Sequence, residues 1–323
     1  APPLPQGWNA HRNKRFHARS SVSKKEQHVA DFFGKPVLRK ALHMLSGKHR
    51  SWLKFIYSHR YLPHTQTPRT YSEHLHRRKI YDHDPRYALF ADKVAVKEIV
   101  AQRCGPGIAT PNLFVGETLP PRDQRNWPVP FVIKSNNGCK TNYFVRVETD
   151  KDWDRIEAEM AGWDQTAHFD YSCEYWYREI PSKILVEPII GEPGAILIDY
   201  RFYVFAGEVA QIWVVSDKLT PRHRVDFFNA AWEPVPFNYA YPKSAVPPPR
   251  PKHLHEMLRI AATLGKDIDF VRVDLYDLPS GPAFGEMTFA PYGGFLKISP
   301  PSVDYALGQT WQRAKDRLRA CTP

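Results

Sequence analysis

No stretch of this 323-residue chain reaches the roughly 18 consecutive apolar residues that a membrane-spanning helix requires, so no such helix is expected. Residues 1–16 lack the apolar centre of a secretory signal, which argues against export by that route. Cysteine is scarce and scattered. Cys104, Cys139, Cys173 and Cys321 form no CxxC pair, which speaks against a zinc ribbon or disulfide framework and for a reducing, cytoplasmic setting. The chain also lacks a GxxxxGK signature followed by Ser or Thr. Its nearest approach has Cys139 between Gly138 and Lys140, so a P-loop nucleotidase is excluded. Internal repeats and low-complexity tracts are missing too. What is present is a 42% hydrophobic, 13% aromatic chain, enough for a large buried core, with 30 prolines that imply many loops.

Net charge is missing from most of the length. The chain has 45 Lys and Arg against 34 Asp and Glu, a net of +11. Residues 1–60 hold 13 Lys and Arg against Glu26 and Asp31, also +11, which leaves 32 against 32 for residues 61–323. The basic character belongs to an N-terminal extension, and any long-range attraction of polyanions is centred there. An acidic polymer or an anionic membrane face, with peripheral attachment to the inner membrane face, is the expected partner of residues 1–60. A solvated extension without a partner stays open. No specific nucleic acid is expected.

Hydrophobic spacing predicts two short helices between Lys35 and Tyr61, interrupted at Gly47. A further helix runs from an N-cap at Asp92 to Gly105. Short strands follow at 130–134 and 142–147, separated by a polar turn, and then a helix over about 151–163 with Trp153, Ile156, Met160 and Trp163 on one face. Residues 184–190 read as a buried strand. Residues 198–205 and 208–216 read as a hairpin turning at Ala206-Gly207, and 234–251 as a proline-rich surface loop. A helix over 252–264 precedes two strands, 270–276 and 282–289, paired across Pro279-Ser280-Gly281. Intermixed helices and antiparallel pairs make the class α+β.

The last hairpin carries the strongest chemical signal. Alternation puts Arg272 with Asp274, and Glu286 with Thr288, on one face of their strands, and the tight turn sets Asp274 beside Glu286. Adjacent carboxylates repel unless a cation lies between them, and oxygen-rich sites suit Mg²⁺. Lys134 leaves an apolar strand just before Ser135, Asn137 and Gly138, a combination suited to phosphate, although a plain hairpin with a snorkelling lysine has the same pattern. Glu187 sits in an apolar strand whose backbone edge near Ile189 offers pairing to a purine. A structural glutamate answering a core arginine is the alternative. Between Ser216 and Arg224, Lys218, Arg222, Arg224 and, if protonated, His223 offer positive charge to an anionic substrate or to phosphates.

The order of these signals resembles the ATP-grasp superfamily, in which two α+β lobes clamp ATP, and more distantly D-alanine–D-alanine ligase. The closer resemblance is to its TupA-like branch, named for teichuronopeptide biosynthesis. It is carried over residues 60–310 by Thr70-Tyr-Ser-Glu73, Ala91-Asp-Lys93, Asp199-Tyr-Arg-Phe202, Phe270 to Tyr276 and Phe284 to Phe289. The resemblance implies that Lys93 and Lys134 grip the nucleotide and that residues 135–142 are the phosphate loop. Glu187 becomes the adenine hinge and Asp199 a ribose contact, with Asp274, Glu286 and Thr288 as Mg²⁺ ligands. Arg272 then steadies a reacting acyl phosphate, with Lys218 and Arg201 nearby. Arg201 stands where this branch commonly has lysine, and Thr288 where distant ligases have asparagine.

The implied layout is an extension over 1–60, partly helical, and a helical lead-in over 61–130. A small lobe with the phosphate loop covers 131–190, a large lobe with the metal and substrate site covers 191–310, and a tail covers 311–323. The implied function is a carboxylate–amine ligase using ATP and Mg²⁺, taking a carboxylate and an amine, with an anionic polysaccharide as a further partner. Three alternatives stay open: an ATP-grasp kinase acting on a sugar hydroxyl, a metal-dependent glycosyltransferase of polysaccharide assembly, and a polyanion binder without turnover.

Overall fold

The structure is a computed structural model that describes residues 45–139, 141–163, 172–192, 195–218, 220–238 and 241–321. The first of the two helices expected between Lys35 and Tyr61 and most of the basic extension lie outside these residues.

The second is one continuous helix, α1 (Gly47–His59), which begins at the glycine expected to interrupt it; Ser46 caps it by accepting from the His49 N–H. Helix α2 (Tyr71–Tyr81) starts in a capping box. The Thr70 hydroxyl accepts from the Glu73 N–H, while Glu73 reaches back to the N–H groups of Thr70, Arg69 and His64. Helix α3 (Arg86–Ala91) ends at Asp92, and α4 (Ala95–Cys104) follows. Asp92 therefore does not cap the helix leading to Gly105. It closes the turn between two helices by accepting from the Val94 N–H.

Strands β1 (Phe114–Gly116), β2 (Phe131–Ser135), β3 (Asn142–Val145) and β4 (Ile184–Pro188) form one antiparallel sheet in the order β1-β4-β2-β3. Helix α5 (Trp153–Ala161) packs Ile156 against Trp127, Phe131, Ile133, Val145 and Val186 on one face of it. The sheet thus begins upstream of the 131–190 interval expected for the small lobe.

Strands β5 (Asp199–Phe205), β6 (Glu208–Ser216), β7 (Arg224–Phe228), β8 (Val271–Leu278) and β9 (Gly281–Thr288) form the second antiparallel sheet, ordered β7-β6-β5-β8-β9. Helix α6 (Leu254–Gly265) buries Leu254, Met257, Ile260, Ala261 and Leu264, the stripe that 3.6-residue spacing demands. At its end, a Cβ on Gly265 would lie 2.6 Å from Val204, so only glycine permits this approach to the sheet. The expected tail at 311–323 is instead the second half of a 20-residue helix, α7 (Pro301–Ala320), whose Trp311 and Ala314 enter the core. Among the described residues no helix is long and apolar enough to cross a membrane.

Helices α1, α2 and α7 enclose three histidines. The His59 Nε2–H donates to the Gly294 carbonyl, His74 lies flat on Trp311 at 5.1 Å, and His76 faces Phe55 and Trp52. Burial, reinforced by neighbouring cations, holds them down at about 4, 3 and 2 respectively. Each is neutral in the folded state, whereas the unfolded chain takes up protons below about pH 6.5. Their contribution is therefore full above that pH and is lost as pH falls towards 4. Urea midpoints measured at pH 7.5 and 5 should drop in acid, and His74→Phe should show a smaller drop than the unchanged chain. An equal drop would place the acid sensitivity elsewhere.

Candidate active site

The site-bearing face of the second sheet is set by register. Arg201 pairs with Asp274 and Tyr203 with Arg272 across β5 and β8, while Asp274 pairs with Glu286 and Arg272 with Thr288 across β8 and β9. A regular two-residue hairpin would not give this last match. From Leu278↔Gly281 the ladder runs evenly to Leu275↔Phe284, and then a bulge at Gly285 shifts it by one so that Glu286, not Gly285, opposes Asp274. A Cβ on Gly285 would stand 3.0 Å from the Asp274 carbonyl oxygen, so the bulge favours glycine. The carboxylate pair depends on that extra residue.

Arg272 lies between the acids. Its Nε and Nη2 donate to Asp274 at 2.7 and 2.6 Å, and Nη2 also donates to Glu286 at 2.6 Å. Burial pushes the Asp274 carboxyl up to about 6 against the pull of Arg272, with Glu286 adding to the rise. Burial alone would raise Glu286 as well, but Arg272, Lys218, Lys93 and Arg201 outweigh it and hold this group below its usual range. Glu286 sits deep in the cleft yet its side chain keeps 49% of its exposure, so water reaches it and the positive field is partly screened. Thr288 completes the group with its hydroxyl 3.3 Å from Glu286.

Among the described residues no group of three or more His, Cys, Asp or Glu forms an all-protein metal cage. Two adjacent hard carboxylates and a hydroxyl, one carboxyl raised by burial, fit a cation that draws its other ligands from phosphate and water, which is the habit of Mg²⁺. Asp274, Glu286 and Thr288 are the residues that would hold it.

The opposite wall comes from the first sheet. Lys134 and Glu187 project from the same face of β2 and β4, because Val132 pairs with Glu187 and Lys134 with Leu185. The sequence points Glu187 at a purine, but its carboxylate is clasped by both Lys134 and Lys97, which hold it ionised against the opposing effect of burial. The Ile189 N–H likewise donates to the Pro130 carbonyl at 3.0 Å. The adenine reading thus loses that side chain and that donor.

The turn after β2 is pinned rather than loose. The Asn136 side chain donates to Asp92 and the Pro181 carbonyl and accepts from the Lys183 N–H. Ser135 donates to the side-chain oxygen of Asn137, whose amide donates to the Ile180 carbonyl and Ser182. A Cβ on Gly138 would lie 2.1 Å from the Thr141 hydroxyl, so this glycine is required. The side chains of Ser135 and Asn137 hold the turn's shape, and the Ser135 and Asn136 N–H groups donate to the Thr141 and Lys183 carbonyls at 3.1 and 3.0 Å. Lys140 lies outside the described residues.

Lys93 bridges the two walls. Its ammonium donates to the Asn136 and Gly138 carbonyls at 3.2 and 2.7 Å, and burial lowers its pKa while the field of Glu286 opposes the fall.

Asp199 is read from the sequence as a ribose contact. In the structure it accepts from Lys218 at 2.6 Å and Arg201 at 3.1 Å; burial opposes its ionisation, but these two cations outweigh it and hold the carboxyl down at about 2. It also bonds the Tyr276 hydroxyl, which places it among the side chains of Arg201, Lys218 and Tyr276. Arg201 reaches the Tyr292 hydroxyl at 2.7 Å as well. His223, counted with the cations if protonated, is held down at about 4 by burial, with Arg201 and Lys218 adding to the effect, and is neutral. Arg222 is largely exposed and leans towards Asp217.

Several neighbours escape the sequence. Lys97 has the i,i+4 spacing from Lys93 that would have suggested a shared face, and Tyr276 continues the alternation of Arg272 and Asp274. Glu174, Tyr177 and Tyr292 come from irregular segments with no periodic signal. Burial raises the Tyr177 hydroxyl far above its usual range in the shared field of Glu174, Glu286, Cys139 and Arg272, which places it between the phosphate turn and the carboxylate pair. A separate cavity of about 710 Å³, lined by Arg69, Arg77, Lys315 and Asp269 among others, lies away from these groups.

Two antiparallel sheets that present lysines and paired carboxylates to one cleft constitute an ATP-grasp fold. The chain belongs to the TupA-like ATP-grasp family, whose pattern matches residues 73–312. Solved structures similar in fold include the ATP-grasp ligase PsnB with a minimal precursor (13% identity, 64% of this chain and 54% of that one, TM-score 0.37). Others are D-alanine–D-alanine ligase from Helicobacter pylori (13%, 70% and 58%, 0.38) and the Bacillus anthracis enzyme with ATP (15%, 73% and 68%, 0.41). The chain spans 54% and 58% of the length of the first two. No curated protein matches it.

Proposed function

We propose that this protein is a Mg-ATP-dependent carboxylate–amine ligase that works through an acyl phosphate in the assembly of a surface polysaccharide or peptide polymer. The observation that carries the reading is Arg272 held between Asp274 and Glu286, opposite a wall of lysines at a glycine-containing turn. Lys93 and Lys134 hold the phosphates, and the backbone of residues 137–138 covers them. Mg²⁺, when bound at Asp274, Glu286 and Thr288, offsets phosphate charge during transfer. A substrate carboxylate oxygen attacks the terminal phosphorus and ADP leaves. Arg272 holds the anionic product of that step, with Arg201 and Lys218 adding positive charge fixed in place before reaction. The amine then attacks the carbonyl carbon, forming the C–N bond as phosphate departs with the electron pair of the C–O bond. The two lobes are proposed to be 114–190 and 199–310, and residues 1–60 to contact an acidic polymer or an anionic membrane face.

The purified chain, supplied with ATP, Mg²⁺, candidate uronates and amino acids, is expected to release ADP and inorganic phosphate in equal amounts. ADP without free phosphate, with phosphorus retained on a sugar, would establish the kinase instead. Lys134→Ala should raise the KM for ATP by about tenfold or more, the loss of one charge-assisted phosphate contact. Glu187 keeps Lys97 as its partner, so the fold should survive. An unchanged KM would remove Lys134 from the nucleotide site.

A further inference from the structure

Arg201 Nε and His223 Nε2, on the second sheet's side of the cleft, are among the buried polar atoms without a hydrogen-bond partner in the described residues, although Arg201 Nε lies 3.8 Å from Asp274. Buried polar atoms are paired in the great majority of native sites, so two orphans in one cluster mark where ligand atoms belong. His223 follows the turn closed by the Thr220 N–H on the Asp217 carbonyl, and its own N–H donates to the Thr220 carbonyl. Its ring lies flat on Tyr241, with centroids 3.9 Å apart and planes 3° apart, so the stack fixes the plane in which Nε2 points. The charged groups that face it are Arg201, Lys218, Asp199 and Arg224. That is three cations to one acid, and Asp199 is already shared between Arg201 and Lys218. The proposed reaction uses Lys93 and Lys134 for the nucleotide and Arg272 for the activated group, with Arg201 and Lys218 only adding to its field, which leaves Arg201 Nε and His223 Nε2 without a ligand.

We propose that Arg201, Lys218 and His223 form a second anion subsite, so that the substrate carries a further anionic group beyond the carboxylate that is activated. Naming that group as part of the substrate rests on the ligase reading; the subsite itself does not. Arg201 Nε and the imidazole N–H donate to the oxygens of the incoming group. Burial and then the neighbouring cations hold His223 neutral, and an arriving anion offsets the cations, so binding draws a proton onto the ring.

The test uses the full chain without nucleotide and two four-carbon probes, succinate and butyrate, in titration calorimetry at pH 6.5. Succinate is expected to bind about tenfold or more tighter than butyrate. It should also take up protons, seen as a binding heat that differs between buffers of different ionisation enthalpy. His223→Phe keeps the stack on Tyr241 and removes the nitrogen; it should lower succinate affinity about tenfold, abolish the proton uptake and leave butyrate unchanged. His223→Gln, which restores a donor, should recover part of the affinity. Equal binding of the two probes, or succinate affinity and proton uptake that survive in both variants, would overturn the proposal. Succinate binding with no ADP formation once Mg-ATP is added would keep the subsite and sink the ligase reading.

Discussion

Asp274→Asn should lower the rate of ADP formation by about a thousandfold, on the order of 4 kcal/mol of barrier, with the fold retained. The variant keeps the size of the side chain and one oxygen for the Arg272 guanidinium, and Glu286 remains as a second partner for that cation. What disappears is one of two adjacent negative charges, and with it the pairing that makes a divalent ion preferable to a proton or a lysine. Burial already raises Asp274 to about 6, so its ionised form is less favoured than that of an exposed aspartate, and Arg272 keeps Glu286 as an acceptor in the variant. The melting temperature should therefore move by only a few degrees while turnover collapses. Asp316→Asn, on the exposed side of α7, serves as the control for charge removal as such. Turnover of Asp274→Asn within about tenfold of the unchanged chain would dissolve the site assignment.

Much of this site is legible in the sequence because strand alternation and short turns are local. Residues i and i+2 share a face whatever packs around them, so Arg272 with Asp274 and Glu286 with Thr288 follow from the chain itself. The facing of Asp274 and Glu286 does not, since it requires the bulge at Gly285, and a glycine two residues after Ala283 reads equally well as an ordinary strand residue. Glu187 shows a different limit. An acid in an apolar strand must be paired, but which cation pairs it is decided by Lys97 on a helix 90 residues away. The Asp92 turn failed for a third reason: an aspartate before a helical run is a good cap, and the same residue serves equally well at the end of a preceding helix that weak periodicity had hidden. Tertiary contact, not propensity, settles each of these.

The same lesson leads to Arg78, which no motif marks. Its side chain is 1% exposed, and Nη1 donates to the Phe270 and Phe289 carbonyls at 2.8 and 3.0 Å while Nη2 pairs with Asp269. Phe270 precedes Arg272 by two residues and Phe289 follows Thr288, so one guanidinium on α2 ties together the ends of β8 and β9 next to the site. Trp311 and Tyr87 close over it at 4.5 and 4.9 Å, and Trp311 Nε1 donates to the second oxygen of Asp269. Arg78→Ala strands two carbonyls in the core and takes the nearest cation from Asp269, which keeps the Phe270 N–H, Trp311 and, at 3.7 Å, Lys315, a loss of about 3–5 kcal/mol. That corresponds to a melting temperature lower by about 10 °C for a chain of this size. Arg78→Lys should recover little, because one ammonium cannot span two carbonyls and a carboxylate as the planar fork does. Adding Asp269→Asn to Arg78→Ala should return part of the loss, since the weakened pairing of a buried charge is one part of the cost. Below its melting temperature Arg78→Lys should also show a reduced kcat with little change in the KM for ATP, because the clamp acts on the strands that carry Arg272 and Thr288 and not on the lysine wall. A melting temperature within about 2 °C of the unchanged chain for both single variants would show that the two strands hold their register without the clamp.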